Sequence, residues 1–154
     1  MPASGNRLSL VLAALALTVL SSCSHGTPVQ GSADPAVVTF LHRYFDTWSA
    51  KDMDGYGRCF SEKARICYLS GQGEIVSQGV TDFLHGQKIA HEQSSSPMTE
   101  RPLQITLQGD DRVKQAAVTW VLSKGLQEER GTDFFTLQNE GGQWKIVCLV
   151  FYGQ

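Results

Sequence analysis

Asp133 is the residue whose placement most invites a chemical reading. It stands in Thr132-Asp133-Phe134-Phe135-Thr136-Leu137 and shares strand parity with Phe135 and Leu137. An alternating strand therefore sets its carboxyl on an apolar face, an unusual place for an aspartate. Tyr44 raises the same question in a helix, where it lies within an apolar stripe. Each residue has a plain structural reading: Asp133 as a strand-end cap or a partner for backbone groups, Tyr44 as a core aromatic. Each also has a functional reading, in which a phenol and an acid sit at the floor of a hollow and hold a ligand. Tyr68 and Trp120 fall in strands and either line such a hollow or fill the core. Tyr44, Tyr68, Trp120 and Asp133 are the candidate ligand-binding residues.

Other reactive side chains offer less. His25, His42, His85 and His91 fit no metal-ligand spacing, since residues six apart do not share a helix face; all four read as surface residues, and no metal site is expected. Cys59, Cys67 and Cys148 match no zinc pattern. In an oxidising compartment one disulfide could form among them with one thiol left over, or all three could be buried as small apolar residues; their pairing stays open. The net charge is −2 and Lys and Arg are scattered, which argues against a nucleic-acid partner. No cofactor is expected.

The elements that would position these residues are legible in the periodicity. Asp34-Pro35 opens a helix, a capping side chain followed by proline at the first helical position. Val37, Phe40, Leu41, Tyr44, Phe45 and Trp48 then form one apolar stripe to a helix end near Ala50. Residues 52–60 suit a short second helix weakened by Gly55 and Gly57. Residues 64–69 and 74–77 read as strands about the turn 70–73, and residues 80–91 as a third helix. The last third is nearly all strand. Leu103, Ile105 and Leu107 alternate with polar residues, then come 112–123, 132–138 and 143–152. Residues 112–123 and 143–152 are apolar on both parities, which predicts strands covered on both faces. Helices to one side of an antiparallel sheet define an α+β domain. A curved sheet closed by three helices makes a cone, and its opening is a natural small-molecule site.

The N-terminal segment speaks of export. Arg7 is followed by the mostly apolar run Leu8–Leu20, of signal-peptide length and too short to span a bilayer comfortably. Leu20-Ser21-Ser22-Cys23 resembles the lipobox of bacterial lipoproteins, in which the cysteine is acylated and becomes the mature N-terminus. The expected organisation is a lipoprotein signal peptide over 1–22, a lipidated Cys23 with a Gly/Ser/Pro-rich tether over 23–33, and one domain over 34–154. Acyl chains add roughly 0.8 kcal/mol of membrane affinity per buried methylene. The membrane is thus a partner, and the expected location is the cell envelope; if the host has an outer membrane, Ser24 is compatible with sorting to its periplasmic face.

The order of elements resembles the NTF2-like (cystatin-like) superfamily, with its SnoaL-like cyclases, scytalone dehydratases and ketosteroid isomerases. Three segments carry the resemblance: Arg43-Tyr44 through Ala50-Lys51-Asp52-Met53-Asp54-Gly55, Gly73-Glu74-Ile75-Val76-Ser77-Gln78-Gly79, and Gly141-Gly142-Gln143-Trp144-Lys145-Ile146. It implies a cone with three N-terminal helices packed on a curved, mostly antiparallel sheet. Against the ketosteroid isomerases, Arg43 through Leu69 aligns without a gap. That match sets Tyr44 at the oxyanion-hole tyrosine and Asp133, in Thr132-Asp133-Phe134-Phe135, at the protonated aspartic acid. The pair would polarise a carbonyl, because an acid in an apolar site stays neutral and donates. Tyr44 and Asp133 are on this ground the candidate catalytic residues. The general-base position holds Tyr68, a poor base near neutral pH, so the resemblance leans away from an enzyme.

Three functions follow as expectations. The first is an exported, lipid-anchored domain that binds a small, mostly apolar ligand in its cone without catalysis. The second is a protein-interaction module, as a homodimer or with an envelope or toxin partner. The third is an isomerase or lyase using Tyr44 and Asp133.

Overall fold

The computed structural model describes residues 34–154. The expected signal peptide, Cys23 and the tether lie outside the described residues. Helix α1 spans Pro35–Ser49. The Asp34 carboxylate accepts the backbone N–H groups of Ala36 at 3.0 Å and Val37 at 3.4 Å, and Pro35 follows the cap where its missing N–H is no loss. All six residues of the stripe are buried, each contributing roughly 1.5–3 kcal/mol by leaving water. Helix α2 is a single turn, Met53–Gly57, capped by Asp52 on the Gly55 N–H at 2.8 Å.

Strands β1 (Phe60–Leu69) and β2 (Ile75–Gly79) form a hairpin, and helix α3 (Val80–Gln93) follows. Strands β3 (Met98–Gly109), β4 (Val113–Lys124), β5 (Gln127–Glu140) and β6 (Gln143–Gly153) are consecutive antiparallel partners. One sheet results, in the order β2-β1-β6-β5-β4-β3, with β1 and β6 pairing in parallel. Its inner face carries Ala116, Val118 and Trp120 of β4, Asp133, Phe135 and Leu137 of β5, and Ile146 and Leu149 of β6, all buried. At one end of this face Lys114 of β4 is nearly buried; its ammonium lies 3.4 Å from the Asp34 carboxylate and over the Trp144 ring.

Three expectations are corrected. The helices are not three at the N-terminus: two precede the sheet, one of them five residues long, and α3 enters only after β2. Gly55 and Gly57 disfavour a longer α2. The strands that are apolar on both parities are not covered on both faces throughout: Val121 is buried, but Val113 of β4 and Val150 of β6 are 45% and 38% exposed. In β6 part of the double parity has a different cause. Cys148 pairs with Thr136 but Ile146 with Leu137, so Val147 is an extra residue. This bulge switches the inward positions from Trp144 and Ile146 to Leu149 and Phe151. Leu103 does not share the face of Ile105 and Leu107. It is itself the extra residue of a bulge between Pro102 and Gln104, and is 42% exposed.

Cys59, Cys67 and Cys148 are free thiols. Cys59 is fully buried, its sulfur 3.6 Å from the Gly55 carbonyl oxygen, and burial pushes its thiol pKa up. Cys67 and Cys148 are partly exposed. Iodoacetamide treatment of the folded protein, read by peptide mass spectrometry, is expected to label Cys67 and Cys148 and to spare Cys59 until denaturant is added. Equal labelling of Cys59 in the native protein would contradict this packing.

Candidate functional site

A cavity of about 260 Å³ opens between the helices and the concave face of the sheet. Tyr44 and Trp48 of α1, Tyr56 of α2, Phe83 and Gln87 of α3, Glu100 of β3, Trp120 and Leu122 of β4, Glu129 and Asp133 of β5, and Phe151 and Gly153 of β6 line it. The sheet register sets the rows. Val118, Asp133 and Phe151 lie side by side across β4, β5 and β6, and Trp120 lies opposite Gly131 in the next inward row.

The absence of a side chain at residue 131 fixes the floor. A Cβ built on Gly131 would stand 2.1 Å from Cζ2 of Trp120, so the indole occupies the space that any other residue would claim. In that position the Trp120 N–H donates to Asp133 Oδ1 at 2.6 Å. The other carboxyl oxygen accepts no hydrogen bond from the described residues. Asp133 is 3% exposed, and burial raises its pKa to about 7 against the lowering effect of the indole donor. Near neutral pH it is therefore divided between acid and carboxylate.

Tyr44 is both a core aromatic and a cavity residue. Its ring packs edge-on against Phe45, Phe60 and Phe135, and its hydroxyl accepts a hydrogen bond from the Tyr56 hydroxyl at 2.8 Å. Burial pushes both phenols well above their ordinary pKa, and the Asp133 charge adds to this. Both therefore stay protonated as neutral donors. Tyr44 and Asp133 share the cavity, but each makes its hydrogen bond to a different residue, Tyr56 and Trp120. Asp133 neither caps a strand end nor bonds the backbone with its side chain, the alternatives the sequence left open.

Tyr68 does not reach the cavity lining. It pairs with Phe151 across the parallel β1–β6 ladder and its ring stacks on that phenylalanine at 5.5 Å, so it acts as a support behind one wall. Of the four residues singled out for ligand binding, three meet in one cavity and the fourth backs it.

Sequence reasoning missed Glu100. Burial, and then the charge of Asp133, raise its carboxyl well above the usual range. The Glu100 N–H donates to Ser49 Oγ at 2.8 Å, and the Ser49 hydroxyl donates to the Glu100 carbonyl at 3.0 Å; this clasp ties the end of α1 to the start of β3. The alternation of Met98, Glu100 and Pro102 was the available signal, and it is out of phase with Ile105 and Leu107 because of the bulge. Gln87 was also missed as a polar wall residue; its side-chain oxygen accepts from the Trp48 indole at 2.8 Å.

His91 is not the surface residue its sequence position suggests. It follows Phe83 and Gln87 at four-residue intervals on the inner side of α3, is 5% exposed, and packs 4.4 Å from the Trp48 ring. Among the described residues neither ring nitrogen makes a hydrogen bond of good geometry. Burial, and then Lys51, lower its pKa, so it is held neutral behind the cavity wall. Among the described residues no group of His, Cys, Asp and Glu is arranged to hold a metal ion.

A curved six-stranded sheet folded around helices with an open cavity is the architecture of NTF2-like, or cystatin-like, α+β proteins, and solved structures of that class superpose on this chain. An NTF2-like protein of unknown function from Pseudomonas putida matches at 13% identity and a TM-score of 0.68 over 78% of this chain and 85% of the other. A cystatin-like protein of unknown function from Nostoc punctiforme matches at 10% identity and 0.66 over 78% and 90%. An NTF2-like protein of unknown function from Shewanella baltica matches at 19% identity and 0.58 over 78% and 92%. At these identities the likeness shows the fold alone. No curated protein matches the sequence. Within the fold class, the chain belongs to the family described as "Putative lumazine-binding", whose model matches residues 32–152.

Proposed function

We propose that this protein is an exported, lipid-anchored domain that binds a small, flat, mostly apolar ligand in its cone without transforming it. One observation carries the reading. The cavity between sheet and helices is walled by six aromatic rings, those of Tyr44, Trp48, Tyr56, Phe83, Trp120 and Phe151, with a few polar groups aimed inward. Such a hollow suits a planar ring gripped on its faces and read at its edges. The family description supports a ring of the lumazine type, a fused bicyclic heteroaromatic with N–H and carbonyl edges. The position that would hold a general base carries Tyr68, outside the lining, which favours binding over catalysis. The proposed anchor is an acylated Cys23, with the domain held at the cell envelope by the 23–33 tether.

Titration of the protein with lumazine, followed by tryptophan fluorescence, tests the reading. Saturable quenching with a dissociation constant in the micromolar range is the expected result, and it should be lost in Trp120→Phe, where the floor indole is gone. Absence of any saturable change, together with no small molecule copurifying in native mass spectrometry, would remove ligand binding as the function.

A further inference from the structure

The polar groups of the cavity are of one electrical kind. Glu100, Glu129 and Asp133 supply three carboxyl groups to the lining, and no Lys, Arg or His lines it. None of the three takes part in an ion pair among the described residues, where the ion pairs instead join Asp34, Asp52, Glu92 and Asp110 to neighbouring cations. Glu129 pairs with Leu122, and Leu122 with Glu100, across β5, β4 and β3. Two acids thus flank one leucine in a single row, and Asp133 lies deeper on β5. Asp133 is the strongest observation: it is 3% exposed, it lines the cavity, and its carboxyl takes a single hydrogen bond from the described residues, the Trp120 N–H on Oδ1. A carboxyl with one donor keeps unused acceptor capacity. A ligand that brings a donor fills it.

We propose that the cavity selects flat organic cations, aromatic or heteroaromatic rings that carry a protonated amine or amidine, and excludes anions of the same shape. This rests on the ligand-binding reading above and deepens it. The cationic end donates charge-assisted hydrogen bonds to Asp133 and Glu100. The ring lies among the aromatic walls, whose faces favour positive charge as well as apolar surface. An anion meets the same carboxyls with no cation to offset them, and that repulsion supplies the discrimination. Ionisation of the two acids and ligand binding are linked, so a bound cation favours their deprotonated forms and its affinity rises with pH.

Three probes of equal shape separate the outcomes: 2-naphthylmethylamine as the cation, 2-naphthylmethanol as the neutral form and 2-naphthoate as the anion. Each is titrated by calorimetry into the full chain at pH 6 and pH 8. The cation is expected to bind at least tenfold more tightly than the alcohol at pH 8, to weaken severalfold at pH 6, and to leave the anion without measurable binding. In Asp133→Asn and in Glu100→Gln the ratio of cation to alcohol affinity should shrink to a fewfold. Equal affinity for amine and alcohol, or a preference that survives in both variants, overturns the charge selection and leaves the ligand-binding reading intact. If none of the three binds, the charge selection is overturned, and the ligand-binding reading falls with it only where lumazine also leaves the fluorescence unchanged and no small molecule copurifies.

Discussion

Raising the pH from 5 to 8 is expected to destabilise the ligand-free protein, the reverse of the usual behaviour of a domain whose carboxylates are paired. The cause is Asp133. Its ordinary pKa is 3.8, and burial in the folded cone lifts it to about 7. The folded state therefore holds this proton more tightly than the unfolded chain. The stability it contributes is fully present below about pH 4 and is lost as pH rises through 7. Three units of displacement correspond to roughly 4 kcal/mol, and because Asp133 is buried, solvent screening discounts this little. Glu100 is displaced in the same direction and adds to the slope. His91 opposes it: its lowered pKa stabilises the fold at higher pH and is lost as pH falls below the ordinary histidine value. Urea denaturation at pH 5 and pH 8 measures the net effect. Asp133→Asn keeps an acceptor for the Trp120 N–H and should flatten the curve by most of its height. Parallel curves for the two proteins would mean that Asp133 titrates normally and is not buried as described.

The fold was largely readable because one physical signal dominates each element. The α1 stripe from Val37 to Trp48 is helical in period and all of it is buried. The turns at 70–73, 109–111 and 139–142 are marked by glycines and polar residues, and the strands fall between them. What could not be read was geometry that depends on pairing. The bulges at Leu103 and Val147 change which parity faces inward, and a bulge leaves no trace in composition. For that reason the alternation visible in the sequence stops short of Glu100, and residues 143–152 read as covered on both faces. Asp133 was legible because β5 alternates from Asp133 to Leu137, so Asp133, Phe135 and Leu137 all turn inward. Tyr68 had the inward parity in β1, but parity does not say whether a residue reaches a hollow or stacks behind its wall. A histidine near a helix end reads as solvated, whereas the spacing of His91 from Phe83 and Gln87 sets it on the packed side.

Replacing Gly131 with alanine is expected to destabilise the protein by about 3 kcal/mol, the upper part of the range for forcing a carbon into a filled core. The new Cβ meets Trp120 Cζ2 at 2.1 Å, Trp120 Cη2 at 2.5 Å and the Tyr152 carbonyl oxygen at 2.4 Å. A side chain can swing away, but the Tyr152 oxygen belongs to β6, which the β5–β6 ladder holds in place. Displacing the indole also takes its N–H from Asp133 Oδ1. The acid then loses the one interaction that favours its charged form, and its pKa should climb beyond about 7. The variant should therefore show two changes at once: a lower denaturation midpoint, and a midpoint-against-pH curve shifted to higher pH. A double variant, Gly131→Ala with Trp120→Leu, separates the contacts. Relief of the indole clash should make its loss smaller than the sum of the single losses by about 0.5–3 kcal/mol, while the backbone clash with Tyr152 keeps it below wild type. Additive losses would show that residue 131 and the indole do not share the floor, and with that the argument that a glycine holds the tryptophan over the acid would fail.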